Sequence, residues 1–226
     1  MRCIKIYGDS ILKGVIYNET LKKYRLFGYK YEELEKRGYC VENNCKMGAT
    51  IEKGLEIIKA TLGDDEDGNL VVMEFGGNDC NFDWAEVARD PEGRSHLPLT
   101  PEDRFVEKYA EAVDYAKKRG ALVKICTLVP IESKRFFNWV SRGLSKENIL
   151  KYIGDVNAIG RWQEYYSRLA ERVAEKTGSE IVDLRSAFLQ PNTLDRMICI
   201  DGIHPNAEGY ERLSRVFQKN VVSDCQ

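Results

Sequence analysis

Residues 2–14 read RCIKIYGDSILKG. Ile4 and Ile6 mark a short strand that runs directly into Gly8-Asp9-Ser10 and then into a more helical segment. A strand ending in a glycine turn presents the next side chain at the carboxyl edge of a sheet, where open α/β folds bind their ligands. A serine held there can act as a nucleophile if the chain supplies a base and an oxyanion site elsewhere.

Outward from this stretch, strand, turn and helix alternate. Residues 18–37 carry Leu21, Tyr24, Phe27, Tyr31 and Leu34 at helical intervals, which predicts an amphipathic helix stopped by Gly38. Residues 39–45 read as a second strand, followed by the turn Lys46-Met47-Gly48-Ala49-Thr50 and a helix over 51–62 capped by Thr50. The acidic run 64–68 lacks the ligand spacing of a calcium loop and reads as a solvated turn. Residues 69–75, NLVVMEF, form a third strand that ends in Gly76-Gly77-Asn78-Asp79. The long segment 80–100 carries Phe82, Trp84 and Leu97, a pocket wall or lid, or packing against the body. Thr100 as cap and Pro101 in the first turn open a helix that runs to Gly120. A fourth strand over 121–129 stops at Pro130. The irregular segment 131–152, with Phe136, Phe137 and Trp139, supplies a second wall. A helix over 156–176, a fifth strand over 179–184 and a closing helix over 206–220 complete the chain.

Short apolar strands alternating with helices imply a five-stranded parallel sheet covered on both faces, a three-layer α/β/α sandwich in one domain over residues 1–226. The loops after the first, second, third and fifth strands then emerge at one sheet edge. Those loops hold Ser10, Gly48, Asn78 and His204.

Composition narrows the partners. With 43% hydrophobic residues in 226, the chain has ample material for a core. A net charge of -2 without a basic stripe argues against nucleic acid. The first residues lack the cationic lead and apolar run of a signal peptide, and no window approaches the roughly 20 apolar residues of a membrane span. The seven cysteines are odd in number and scattered without metal-ligand spacing, as for reduced thiols in a cytoplasmic protein. No metal or other cofactor is expected, and the oligomeric state is not legible.

Only two histidines are present. His96 lies in a charged loop and reads as a surface residue. His204 follows Asp201 by three positions in a tight turn bounded by Gly202 and Pro205, so Asp201 can reach the ring nitrogen facing away from Ser10. His204 can then take the proton of Ser10 and return it to a leaving alcohol. The backbone N–H groups of Ser10 and Gly48 and the side-chain amide of Asn78 are candidate oxyanion donors. Singly, a lone histidine is more often structural, and a glycine or an asparagine usually marks a turn. Their joint placement is what carries weight.

Gly8-Asp9-Ser10, Gly48, Gly76-Gly77-Asn78-Asp79 and Asp201-Gly202-Ile203-His204 together resemble the four blocks of the SGNH/GDSL hydrolase family, in the family's order. The resemblance spans nearly the whole chain. It implies a flavodoxin-like sandwich, Ser10, Asp201 and His204 as catalytic triad, and Gly48 and Asn78 completing an oxyanion hole with Ser10. The leucine that often follows the family's serine is Ile11 here. Asp9 supports the turn in such proteins and receives no chemical role.

Other enzyme classes fail on residues. An α/β-hydrolase elbow needs a glycine where Leu12 stands. Metallophosphatases and zinc hydrolases need more metal ligands, and there is no phosphate-cradling Gly-x-x-x-x-Gly-Lys run. A rival of a different kind is a non-catalytic acyl- or glycan-binding module, whose mark would be loss of the triad. The expected activity is therefore a serine esterase acting on a small-molecule ester, by preference a short acetyl ester of a small alcohol or carbohydrate. Lysophospholipase- or thioesterase-type acyl hydrolysis is the alternative. Phe82, Trp84, Phe136 and Trp139 are the candidate pocket residues, with core packing as the competing role for each. A histidine base of ordinary pKa, near 6.5, predicts a rate that rises with pH through about 6–7.

Overall fold

The computed structural model describes residues 2–28, 30–93 and 96–222. Strand β1 (Cys3–Gly8) leads into the short helix α1 (Ser10–Lys13), then a hairpin of β2 (Val15–Asn18) and β3 (Lys23–Leu26). Next come α2 (Glu32–Lys36), β4 (Cys40–Asn43), α3 (Ile51–Thr61), β5 (Leu70–Glu74), α4 (Trp84–Arg89) and α5 (Glu102–Lys117). The second half holds β6 (Leu122–Cys126), α6 (Ser133–Val140), α7 (Lys146–Ile153), α8 (Asn157–Thr177), β7 (Glu180–Val182), α9 (Leu194–Met197) and α10 (Ala207–Val221).

Five strands form a parallel sheet in the order β4-β1-β5-β6-β7. This is the flavodoxin-like order, in which the chain reverses direction across the sheet beside β1 and leaves a crevice outside the strand ends. Side chains alternate along each strand, so every strand feeds two cores. Tyr7, Val71, Met73, Val123 and Ile125 pack with Ile58 of α3, Tyr109 of α5 and Ala170 of α8. Ile4, Ile6, Val72 and Val182 pack on the other face with Leu12 of α1 and with Leu213 and Phe217 of α10. A third cluster, Trp84, Val87, Phe136, Phe137, Ile149 and Ile159, ties α4, α6, α7 and α8 into a cap beside the strand ends.

Several elements differ from the sequence expectation. Residues 18–37 form the antiparallel β2–β3 hairpin and the short α2 rather than one helix. The hairpin sets Tyr17 directly opposite Tyr24, with ring centroids 5.3 Å apart, and Trp139 completes the cluster at 4.7 Å from Tyr17. Aromatic pairs across a strand are a strong local stabiliser. The turn is closed by Asn18, whose side-chain oxygen accepts the Leu21 N–H at 2.8 Å. Leu21 stays exposed, while Leu34, Phe27 and Tyr31 do pack on the core, but from separate elements rather than from one helix face.

The segment 80–100 contains α4, and 131–152 folds into α6 and α7 instead of an irregular wall. Asp83, Glu132 and Ser145 accept N–H groups of the first turns of these three helices, a capping signal that the irregular reading passed over. Two expected caps are also displaced. Thr50 makes no capping bond, and Asp79 accepts the Ile51 N–H at 2.9 Å from a different loop. Pro101, not Thr100, occupies the cap position of α5. No helix among the described residues is long and apolar enough to cross a membrane.

Candidate active site

Ser10 is the first residue of α1, immediately beyond the carboxyl end of β1. Its N–H is one of the orphan donors of a helix start. Asp9 caps the same helix by accepting the Ile11 N–H at 2.8 Å, which locks the turn that projects Ser10 from the sheet.

The turn carrying Asp201 and His204 is pinned at both ends. The Cys199 N–H donates to His204 O at 2.8 Å, and Asn206 caps α10 by accepting the Gly209 N–H at 3.0 Å. Gly202 adopts φ +79, and a Cβ there would lie 2.3 Å from the backbone nitrogen of Phe136, so only glycine lets this turn dock on α6. His204 Nε2 stands 2.9 Å from Ser10 Oγ, and His204 Nδ1 stands 2.7 Å from Asp201 Oδ2. Asp201 Oδ1 accepts the N–H groups of Ile203 and His204 at 3.1 and 3.2 Å. Burial pushes the Asp201 carboxyl up, but the bond and charge of His204 and these two N–H groups outweigh it and hold the carboxyl below its ordinary range. An ionised Asp201 fixes the Nδ1–H tautomer and leaves Nε2 to accept the Ser10 proton.

The hairpin adds a residue that sequence reasoning missed. The Tyr24 ring leans on the His204 ring with centroids 5.1 Å apart. Burial and the facing Asp201 carboxylate push its phenol pKa up. Assigned to the apolar stripe of an amphipathic helix, Tyr24 carried no catalytic signal; the β-branched and aromatic run Val15-Ile16-Tyr17 was the clue to a strand.

Gly48 adopts φ +75 on the cleft wall, and a Cβ built there meets nothing within 4 Å, so its backbone is approachable from the cleft. Asn78 lies in the turn after β5, and its Nδ2 donates to Asp9 Oδ2 at 2.9 Å and to Ala49 O at 3.1 Å. The structure thus brings Ser10, Gly48, Asn78, Asp201 and His204 around one cleft, with both amide protons of Asn78 engaged.

Beneath Asn78 lie three carboxyls that the sequence reading left without a chemical role: Asp9, Glu74 and Asp79, all buried. Burial raises Asp9, opposed by its bonds to Ile11, Glu74 and Asn78. Burial and the neighbouring Asp9 raise Glu74 well above its usual range. Asp79 is pushed up to about 7, mainly by burial, against the Ile51 N–H. A glutamate ending the otherwise aliphatic run Leu70–Glu74 was the available sign.

Ser10 and His204 open on a cavity of about 800 Å³. Phe82, Trp84, Phe136, Tyr152, Ile159 and Trp162 give it an apolar wall. Trp139 is not among its lining residues; it packs on Tyr17 and Tyr24, with Arg142 stacked 3.6 Å from its ring centre. Phe137 is buried in the cap. His96, expected at the surface, is half-buried in the cavity wall, its Nε2–H donating to Asp90 O at 2.8 Å and its ring lying edge-on to Tyr152. Among the described residues, one group could hold a metal ion: Cys3, Cys40 and Glu42, with ligand atoms within 4.8 Å of one another. It sits at the opposite end of β1 and β4 from Ser10.

Comparison with known proteins agrees with this architecture. Residues 6–212 match the profile of the GDSL-like Lipase/Acylhydrolase family, and the chain belongs to that family. No curated protein shows a matching sequence. Among solved structures, a variant of an acetyl-xylooligosaccharide esterase from Geobacillus stearothermophilus is similar in fold. It has a TM-score of 0.66 and 20% identity over 97% of this chain and 94% of that one. A lipase/acylhydrolase from Enterococcus faecalis gives 0.63 and 21%, over 99% and 96%. An α/β hydrolase from the Lake Arreo metagenome gives 0.66 and 20%, over 97% and 94%.

Proposed function

We propose that this family member is a serine esterase that works through an acyl-enzyme. The observation that carries the reading is the continuous chain from Ser10 Oγ through His204 to buried Asp201, at 2.9 and 2.7 Å, opening on the cavity. Ser10 Oγ attacks the ester carbonyl while His204 Nε2 takes its proton. The tetrahedral oxyanion is met by the N–H groups of Ser10 and Gly48 and by the Asn78 amide, which exchanges its longer bond, to Ala49 O, for the oxyanion. Collapse breaks the ester C–O bond, and His204 returns the proton to the departing alcohol. Water, deprotonated by His204, then releases the acid and restores Ser10.

The expected short acetyl ester uses little of an 800 Å³ cavity. An apolar wall of this extent favours an ester with a larger apolar part, either a longer acyl chain or an aromatic or aliphatic alcohol. Asn81, His96, Glu102, Arg161 and Gln163 also line the cavity and offer polar partners beside this apolar wall.

The test is hydrolysis of p-nitrophenyl esters from acetate to decanoate, with chelator, by wild type and by Ser10→Ala. We expect wild-type activity that survives chelation, peaks beyond acetate and vanishes in Ser10→Ala. Equal activity in the two proteins overturns Ser10 as nucleophile; a peak at acetate overturns the apolar substrate.

A further inference from the structure

Building on Ser10 as nucleophile, we propose that Glu74 is a positioning residue: it holds Asp9 as a pure acceptor, and Asp9 in turn fixes the Asn78 amide at the oxyanion site. Glu74 is the last residue of the central strand β5, 1% exposed, and its Oε2 has no hydrogen-bond partner. Among the described residues, no cation pairs with it. Asp9 faces it from the β1–α1 turn, Asp79 from the loop after β5, Cys45 from the loop after β4, Cys126 from β6 and Tyr109 from α5. Lys13 approaches Cys45 but donates to its carbonyl at 3.1 Å, and His204 acts on Asp9.

Two carboxyls in contact and out of water cannot both ionise, so the Asp9–Glu74 pair holds one proton. The hydrogen bonds decide where it sits. Asp9 accepts N–H groups from Ile11 at 2.8 Å and from Asn78 at 2.9 Å, and both favour its ionised form. Glu74 meets one N–H, that of the Asp9 backbone, against the two that Asp9 accepts, and its Oε2 has none, so Glu74 carries the proton and donates its O–H to Asp9.

This order of donors has a consequence for the amide. An acceptor-only Asp9 can meet only the Nδ2 side of Asn78, which sets the amide's flip and turns its remaining N–H toward Ala49 O and the cleft. A cleft-facing Nδ2 is the orientation an oxyanion needs. Were Asp9 to take the proton instead, its O–H could hold Asn78 by Oδ1 or leave the amide unset. A Cβ on Gly77 would lie 3.2 Å from Asp9 Oδ2, so the carboxylate is also closely walled on that side.

The experiment has a spectroscopic and a kinetic arm on the full chain. At about pH 9, above the Asp79 value near 7, infrared difference spectra of wild type and Glu74→Gln should show a protonated-carboxyl C=O band in wild type alone. In steady-state kinetics, Glu74→Leu should lower kcat at least tenfold with KM changed less than twofold. Glu74→Gln, which keeps an N–H to donate to Asp9, should recover most of that loss, with folding of each variant checked by thermal melting. A band that persists in Glu74→Gln, or is missing from wild type, overturns the proposal. So does a Glu74→Leu variant that melts normally with kcat unchanged, or whose loss lies in KM. A wild type without esterase activity would remove the nucleophile reading that the kinetic arm rests on, while the infrared arm would still read the proton on Glu74.

Discussion

At one end of the cleft, Ser10, His204 and Asp201 are joined by two short hydrogen bonds and almost fully withdrawn from water. At the other end, Phe82, Trp84, Phe136 and Ile159 offer apolar surface from α4, α6, α8 and the loops between them. The first end is assembled from turns at strand ends, where the sheet fixes positions to within a hydrogen bond. The second comes from α4, α6 and α7, inserted after β5 and β6, which form their own cluster with the first turn of α8, while the rest of α8 packs on the sheet. The difference separates two jobs. Directional bonds in a dry pocket serve bond making and breaking, whereas non-directional burial serves recognition of a chain or ring. A change at the polar end should alter turnover for every ester, and a change at the apolar end should alter the choice among esters.

The largest effect expected is that of His204→Ala, which should lower kcat/KM by at least about 10³ for all chain lengths alike, as for other triads. A loss confined to long esters, measured on the same p-nitrophenyl series, would erase the distinction between the two ends. Next comes the carboxyl group below the oxyanion site. The folded value of Asp79 lies above its unfolded value, so the folded state binds the extra proton and stability falls as pH rises from about 4 to about 7. Replacing it by Asn removes that slope while keeping an acceptor for the Ile51 N–H. Between pH 5 and 8, thermal or urea melts should move in favour of Asp79→Asn by on the order of 2 kcal/mol; parallel curves would refute the assignment. Asp201, held low, runs with the opposite sign and loses its contribution as pH falls.

At the apolar end, each methylene buried is worth about 0.8 kcal/mol, close to fourfold in kcat/KM while the chain still finds wall. Ile153→Trp, at the end of α7 on the cavity wall, should shorten that climb and cost about tenfold for octanoate with acetate little changed. Equal losses on both esters would show that the wall does not select the chain. The smallest effect is expected from Trp139→Phe. Its ring packs against the hairpin outside the cavity, so the chain-length profile should hold within about twofold.

The same contrast governs how much was legible in the sequence. Ser10, Gly48, Asn78 and the Asp201–His204 turn stood out because each follows a short apolar strand or sits in a glycine-bounded turn, and a parallel sheet must deliver such turns to one edge. Tyr24 was hidden because Leu21, Tyr24 and Phe27 fit a helical interval as well as a hairpin, and only the facing of Tyr17 on Tyr24 decides between them. Of the aromatics, Phe82, Trp84 and Phe136 reach the wall and Trp139 does not. Nothing local separates them, since the face of a short helix is set by what it docks on. Glu74 and Asp9 were visible as residues but not as partners, because their contact spans two strands.

The central claim is that Ser10 attacks, driven by His204. It is tested most directly by treating the protein with a fluorophosphonate, which traps an activated serine covalently, and locating the adduct by peptide mass spectrometry. The account predicts one adduct, on Ser10, absent from Ser10→Ala and strongly slowed in His204→Ala. An adduct on another residue, or labelling of Ser10 at the same rate without His204, would contradict it.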